Sequence, residues 1–383
     1  MALEFLTPLN EEILDFANDL SSQHLGNKIV FHTKDDFPNL KKIKIAILGV
    51  LENRGDKKAN QEVNLDFIRK EFYSLFPGNW NASIADLGNL KPGDTKEDTY
   101  FALNKVVSSL IKQQIIPIVI GGSQDLTYPL YRAYDDLEQM VNLVSIDNKF
   151  DFGKETDEIS TNSYLTKIIL EEPNNLFNYS NVGFQTYYNS QEEIDLIEKL
   201  FFDAYRLGDV SNNISISEPV FRDADFVSLD LSSTKSADTG NFKNFAPNGF
   251  NGKEICALSR YAGISDKLSL FGVFNHNNTL QESVLIAQII WYFIEGYHFR
   301  SNEYPFTTKE NYIKYIVPMD DEEIIFFKSN KTERWWIEIP FIMNGNNKLQ
   351  KNTLLPCSYE EYLAACNQNL PERWWKAQKK YFI

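Results

Sequence analysis

Short, uninterrupted apolar runs recur along this chain, with longer amphipathic stretches between them. The first run, Ile43 to Val50, is too short for a core helix and lacks the alternation of a half-exposed strand, so it reads as a strand buried on both faces. Comparable runs lie at 83–87, 115–120, 141–147, 180–186, 225–230 and 268–274. Between them the apolar spacing is helical at 63–75, 97–113, 124–136, 160–171, 190–202, 251–263 and 280–297, after an amphipathic opening helix from Leu9 to Ser21. Strand and helix therefore alternate, which predicts an α/β fold in three layers (α/β/α), a mainly parallel sheet with helices on both faces. In such sheets a ligand sits beyond the carboxyl ends of the strands.

The pattern changes after Pro305. Residues 1–305 read as the α/β domain, and 306–383 as a small β-rich, Trp-rich C-terminal extension packed on it. From Glu322 to Pro340 the chain reads as two β segments joined by Asn330-Lys331-Thr332, then a polar turn and a helical stretch from Ser358. Two triplets, Arg334-Trp335-Trp336 and Arg373-Trp374-Trp375, fall here. They are expected to clamp the extension in place, with the arginines stacked on indole faces; an aromatic ligand or partner patch is the alternative.

Composition narrows the function classes. The 383 residues carry a formal charge of −15, which argues against nucleic acid as a partner, since phosphate binding needs a basic face. Three cysteines, Cys256, Cys357 and Cys366, are widely spaced and form no CxxC pair, so they indicate neither a disulfide framework nor a zinc site. Four scattered histidines undersupply His-rich metal chemistry. No apolar run reaches the roughly 18 residues of a membrane span, and the opening residues lack a basic segment followed by an apolar core. These features predict a cytoplasmic protein with no membrane association.

Three segments at strand ends carry the chemistry: Gly121-Gly122-Ser123-Gln124-Asp125, Asp147-Asn148-Lys149-Phe150-Asp151 and Ser228-Leu229-Asp230-Leu231-Ser232. Alternation would turn Asp147, Lys149 and Asp151 to one side, and Asp230 with Ser232 likewise. A lone strand-end aspartate often only caps the following helix or loop. Two such clusters and a Gly-Gly loop, in this order, point instead to a site.

The three segments resemble those of the arginase, agmatinase and formimidoylglutamase (ureohydrolase) family. Ile118 to Thr127 is similar to the segment containing Gly-Gly-Asp-His-Ser, 145–151 to Asp-Ala-His-x-Asp, and 228–232 to Ser-x-Asp-x-Asp. Ser160-Thr161-Asn162-Ser163-Tyr164 occupies the place of the substrate loop of formimidoylglutamases, so Ser160, Asn162 and Ser163 are the substrate-loop candidates. Gly249 to Gly263 resembles a family helix start, and Asn275 lies where the family has a late glutamate. The resemblance spans roughly residues 40 to 300 and implies a homo-oligomer.

In that family two Mn²⁺ ions share a bridging hydroxide that attacks an amidine or guanidine carbon, and holding the pair takes about six ligands. The resemblance assigns those places to Gln124, Asp147, Lys149, Asp151, Asp230 and Ser232. A protonated lysine has no lone pair and replaces a cation, so Lys149 is expected to contact the aspartates and neutralise them. Gln124 and Ser232 are weaker Mn²⁺ ligands than imidazole and carboxylate. The preferred expectation is a formimidoylglutamase-like protein that has lost the Mn²⁺ pair, takes no cofactor, and serves as a binding or structural protein with a small-molecule ligand. The alternative is a hydrolase of linear amidines or guanidines with one Mn²⁺ or Mg²⁺ on Asp147, Asp151 and Asp230. Gly121-Gly122 matches neither a P-loop nor a dinucleotide fingerprint. Cys256 lies on an apolar helical pattern with no histidine placed near it, so no nucleophilic triad is indicated.

Overall fold

The computed structural model describes residues 2–57, 62–80, 83–137, 139–303, 310–319, 323–339 and 354–382. The first ten strands are β1 (Leu6–Thr7), β2 (Val30–Phe31), β3 (Ile45–Val50), β4 (Ile84–Leu90), β5 (Ile116–Gly121), β6 (Val141–Ile146), β7 (Leu176–Phe184), β8 (Asp203–Arg206), β9 (Phe226–Asp230) and β10 (Leu270–Phe274). They form one sheet in the order β1-β4-β3-β5-β10-β9-β6-β7-β8, with β2 paired to β4. Every pairing is parallel except β1 on β4. The late strands β9 and β10 enter between β5 and β6, so the three strands that carry the motifs lie within four adjacent ones.

Strand alternation sorts the apolar residues into two cores. Ile45, Ile118, Val144, Leu229 and Val273 face one side with helices Asp66–Tyr73, Gly252–Ile264 and Leu280–His298. Leu48, Val119, Leu143, Phe226 and Phe274 face the other, under helices Lys96–Lys112, Thr127–Arg132 and Tyr164–Leu170. Each fully buried Leu, Ile or Val contributes about 1.5–3 kcal/mol over an exposed one, so the runs read from the sequence are also the main source of cohesion. Thr95, Ser190 and Asn251 begin their helices with reciprocal caps to Asp98, Glu193 and Glu254. A Cβ on Gly263 would stand 2.1 Å from the Phe293 carbonyl oxygen, so only glycine permits the close packing of the last two large helices.

The expected single helix over 124–136 is instead a 3₁₀ turn at Gln124–Leu126, a helix at Thr127–Arg132 and a second turn at Asp135–Leu137. Pro129 explains this, because proline is tolerated in a first helical turn but breaks a helix begun earlier. Strands β1, β2 and β8 were not expected from the apolar pattern; two of them are only two residues long.

In the C-terminal part, β11 (Tyr312–Pro318), β12 (Glu323–Ser329), β13 (Trp335–Glu338) and β14 (Leu354–Cys357) form an antiparallel sheet in that order. Helices Tyr359–Cys366 and Glu372–Phe382 follow. Strands β11 and β14 were missed by the sequence reading, while Pro305, Glu322 and Pro340 lie outside the described residues. This sheet has its own core, including Val317, Phe326, Trp335 and Trp374. Arg222 ties it to the larger sheet: it donates to the carbonyls of Trp335 at 3.0 Å and Cys357 at 2.9 Å, and lies 4.7 Å from the Trp336 ring centroid. The guanidinium over the indole is thus Arg222 rather than a triplet arginine. Arg334 pairs with Glu218 at 3.6 Å and Arg373 donates to the Pro356 carbonyl at 2.9 Å, both drawn to nearer oxygen acceptors. Among the described residues, no helix is long and apolar enough to cross a membrane.

Candidate functional site

At the end of β5 the chain must pass close to its neighbour. A Cβ on Gly122 would lie 2.2 Å from the Glu52 carbonyl oxygen, which accounts for the glycine. The 3₁₀ turn that follows directs Gln124 inward: its Nε2 donates to Asp147 Oδ2 at 2.7 Å and to the Tyr164 hydroxyl at 3.2 Å. The Gln124 backbone N–H donates to Asn275 Oδ1 at 3.0 Å, just beyond β10. Asp230, the last residue of β9, accepts the Ser232 N–H on Oδ1 and the Ser232 hydroxyl on Oδ2, both at 2.7 Å. Asn148 Nδ2 donates to the Ser232 carbonyl at 2.7 Å, tying the end of β6 to the end of β9. Hydrogen bonds therefore lock together the carboxyl ends of all four adjacent strands.

Three buried carboxylates meet there. Asp147 Oδ1 accepts the Lys149 backbone N–H at 2.9 Å. Asp151, held in the left-handed region at φ 55°, is hydrogen-bonded to Asp147. Burial, then the charges of Asp147 and Asp230, push the Asp151 carboxyl well above the usual carboxylate range. Asp147 is raised by burial, against the opposing effect of the Lys149 N–H, Gln124 and Asp151. Asp230 is pushed up to about 7 by burial and by Asp147. Burial and its two acidic neighbours thus favour the protonated form of Asp151, the carboxyl raised furthest of the three.

Lys149 does not contact these carboxylates. Its ammonium donates to Asn162 Oδ1 at 3.2 Å and reaches Asp147 and Asp151 only through space, where it favours their charged forms. The reason lies in competition: Asp147 is already filled by a backbone N–H and an amide, and a half-buried lysine keeps more of its hydration by turning outward. The strand alternation that paired Asp147 with Lys149 also stops early, because β6 ends at Ile146.

Of the loop candidates, Ser160 and Ser163 bond to each other, with Oγ atoms 2.7 Å apart, and Ser163 donates to the Glu158 carbonyl at 2.9 Å. They shape the loop, while Asn162 lines the cleft. That cleft measures about 540 Å³, and Asp151, Asp230, Lys149 and Ser232 are in its wall. Gln124 and Asp147 lie beneath, at 0% and 1% exposure.

Asn148, named in the sequence only as part of its motif, and Thr234 and His276, which the sequence did not single out, also line the cleft. All three follow strand ends, so the rule that located the motifs applied to them as well. Burial depresses the His276 imidazole to about 4, leaving it neutral. Glu282, in the first turn of the helix after β10, is raised by burial to about 7. Among the described residues, no group of three or more His, Cys, Asp or Glu is arranged to hold a metal ion.

A family model described as the Arginase family matches residues 44–263. Among solved structures, Trypanosoma cruzi formiminoglutamase with Mn²⁺ aligns at a TM-score of 0.63 and 16% identity, covering 72% of this chain and 99% of that one. The formimidoylglutamase of Bacillus subtilis aligns at 0.59 and 13% identity, covering 76% and 100%. The agmatine ureohydrolase of Thermoplasma volcanium aligns at 0.57 and 18%, covering 74% and 98%. No curated protein matches the chain by sequence.

Proposed function

The chain belongs to the arginase family, and from that premise we propose that it is a non-catalytic, ligand-binding protein on the formimidoylglutamase-like fold, whose cleft floor does not hold an Mn²⁺ pair. The observation that carries this reading is the direction of the hydrogen bonds at the motif positions. Gln124 presents N–H to Asp147, and Ser232 presents both N–H and O–H to Asp230. Lys149 brings an ammonium, and the surroundings of Asp151 favour its protonated form. A metal pair needs lone pairs aimed at it from about six ligands, and here donors already occupy the inner carboxylate oxygens. These residues do not fit two Mn²⁺ ions, so no hydrolytic step is derived through them. The reading carries with it a cytoplasmic homo-oligomer with a small-molecule ligand.

One observation favours a second reading. Among the described residues, Asp151 Oδ2 is buried without a hydrogen-bond partner, as is Gln124 Oε1. Oxygen atoms of this kind suit a single hard cation such as Mg²⁺, with Asp147, Asp151 and Asp230 as ligands of a remodelled hydrolase for linear amidines.

The test is metal content with activity. Protein purified without chelator, then supplied with Mn²⁺ or Mg²⁺, is expected to hold no stoichiometric metal and to leave a formimino-glutamate substrate intact. Bound metal with hydrolysis that chelation abolishes would overturn the proposal.

A further inference from the structure

The sheet of β11–β14 packs one face against helices Tyr359–Cys366 and Glu372–Phe382. On that face the register sets Lys328, Trp335 and Cys357 side by side across β12, β13 and β14. Neighbouring positions on the same face are Ile324, Phe326 and Ile337, all buried and apolar. Lys328 is the exception. Its Nζ lies 5.9 Å from the Trp335 ring centroid, and among the described residues the ammonium makes no hydrogen bond or ion pair.

This lysine lines a cleft of about 710 Å³ between the extension and the larger domain, with Glu218, Arg222 and Tyr261 supplied by the latter. Arg222 and Arg334 share one carboxylate oxygen there, Glu218 Oε1, at 3.1 and 3.6 Å. Arg222 is further held by two backbone carbonyls, whereas Arg334 has only this long contact. One carboxylate between two guanidiniums, with Lys328 in the same wall, leaves positive charge in excess. Glu333 and Glu360 also line the cleft, but both are exposed, where water and salt screen them.

The other feature of the cleft is a group of four rings. Trp335 stacks on Tyr362 with centroids 4.6 Å apart and planes at 23°, and Tyr315 and Tyr359 flank it at 5.0 and 5.5 Å. Tyr359 is 50% exposed, so part of its ring is uncovered. Packing of an aliphatic stem on an indole accounts for the lysine's position. It does not account for two cations short of an anion beside an open aromatic wall.

We propose that this second cleft binds a planar aromatic carboxylate, its ring against Tyr359 and Trp335 and its carboxylate between Lys328 and Arg334. Offset or edge contacts with the rings favour a flat aromatic body, and a carboxylate matches the guanidinium fork. The volume is that of a small-molecule site, and such sites favour junctions between domains. The exposed glutamates disfavour polyanions such as nucleotides. Lys328, Arg334, Trp335 and Tyr359 lie outside residues 44–263 that match the family model, and the site stands whether or not the central cleft holds a metal or a ligand.

The experiment is calorimetric titration of the full chain with 2-naphthoate and indole-3-acetate. Indole-3-acetamide serves as the uncharged isostere and hexanoate as a carboxylate without a ring. At least one aromatic acid is expected to bind about tenfold or more tighter than both controls. Lys328→Met is expected to weaken that acid about tenfold and leave the amide unchanged, while Tyr359→Ala weakens acid and amide alike. Circular dichroism melts establish that both variants are folded. No binding of either acid up to on the order of 10 mM would overturn the proposal, as would an amide that binds as tightly as its acid. Affinity for the acid unaltered in both folded variants would place the ligand elsewhere and overturn it too.

Discussion

Two buried carboxylate sites in this molecule are built on opposite principles. Asp86, in β4 and 0% exposed, accepts Arg69 Nε at 2.9 Å and Arg69 Nη2 at 3.2 Å, the Tyr73 hydroxyl at 2.7 Å and the Gly88 N–H at 2.9 Å. A cation touches it, and its oxygens are occupied. Asp147, Asp151 and Asp230 are nearly as deep, yet among the described residues no cation touches them and Asp151 Oδ2 has no partner. The nearest lysine of their own segment turns to an amide instead. A buried charge kept for structure is paired in contact, whereas clustered, unpaired carboxyls with raised pKa values mark a place prepared for something else.

The largest expected effect lies at the first site. Arg69→Met should cost about 3–5 kcal/mol in urea denaturation, because it leaves Asp86 buried without its cation. Asp151→Asn, at nearly the same depth, should change stability by less than about 1 kcal/mol or raise it, since burial and two acidic neighbours already disfavour the charged form of Asp151. Equal large losses at both positions would erase the distinction.

The pH dependence separates the sites next. Asp147, Asp151 and Asp230 have folded-state pKa values above their unfolded ones, so the folded protein holds more protons than the unfolded chain. Their contribution to stability is full below the unfolded carboxylate pKa and is lost as pH rises, through about 7 for Asp230. Glu282, also raised to about 7, acts in the same direction. The His276 imidazole, depressed to about 4, acts in the opposite direction below the ordinary imidazole value of 6.5, so denaturation midpoints should fall from about pH 6.5 to pH 8, with a shallower fall in Asp230→Asn. A midpoint that climbs over this range in the natural chain and is unaltered in the variant would contradict the assignment.

Lys149→Met should have the smallest effect, below about 1 kcal/mol, the range of exposed pairs held through water. Had the ammonium sat among the aspartates, the loss would approach that of a broken buried pair. The same melts decide between the two.

Much of this architecture is legible in the sequence because burial on two faces leaves uninterrupted apolar runs. Ile45–Val50, Ile116–Gly121 and Phe226–Asp230 are of that kind, and the ends of these runs placed the motifs. Elements without such a signature were not legible. β1 and β2 are too short to show a pattern, and β11 is largely exposed, with Ile316 at 52%. At the site, the convergence of Gln124 on Asp147 and of Ser232 on Asp230 could be anticipated from order and spacing. The direction of Lys149 could not, because it depends on which donors had already filled Asp147, and on the Asp151 backbone bending to φ 55°. Thr234 and His276 belong to no motif, and only the folded loops beyond β9 and β10 bring them to the cleft.

Centrally, we propose that the strand ends still deliver positions 124, 149 and 232 to one cleft, while the groups delivered there do not hold an Mn²⁺ pair. Calorimetric Mn²⁺ titration of the natural chain and of the combined variant Gln124→His, Lys149→His, Ser232→Asp tests it most directly. The natural chain should show no saturable binding of two ions. The variant, with six ligands of suitable type, should bind up to two per chain and gain melting temperature on loading. Tight binding of two Mn²⁺ ions by the natural chain, or none by a correctly folded variant, would contradict the account.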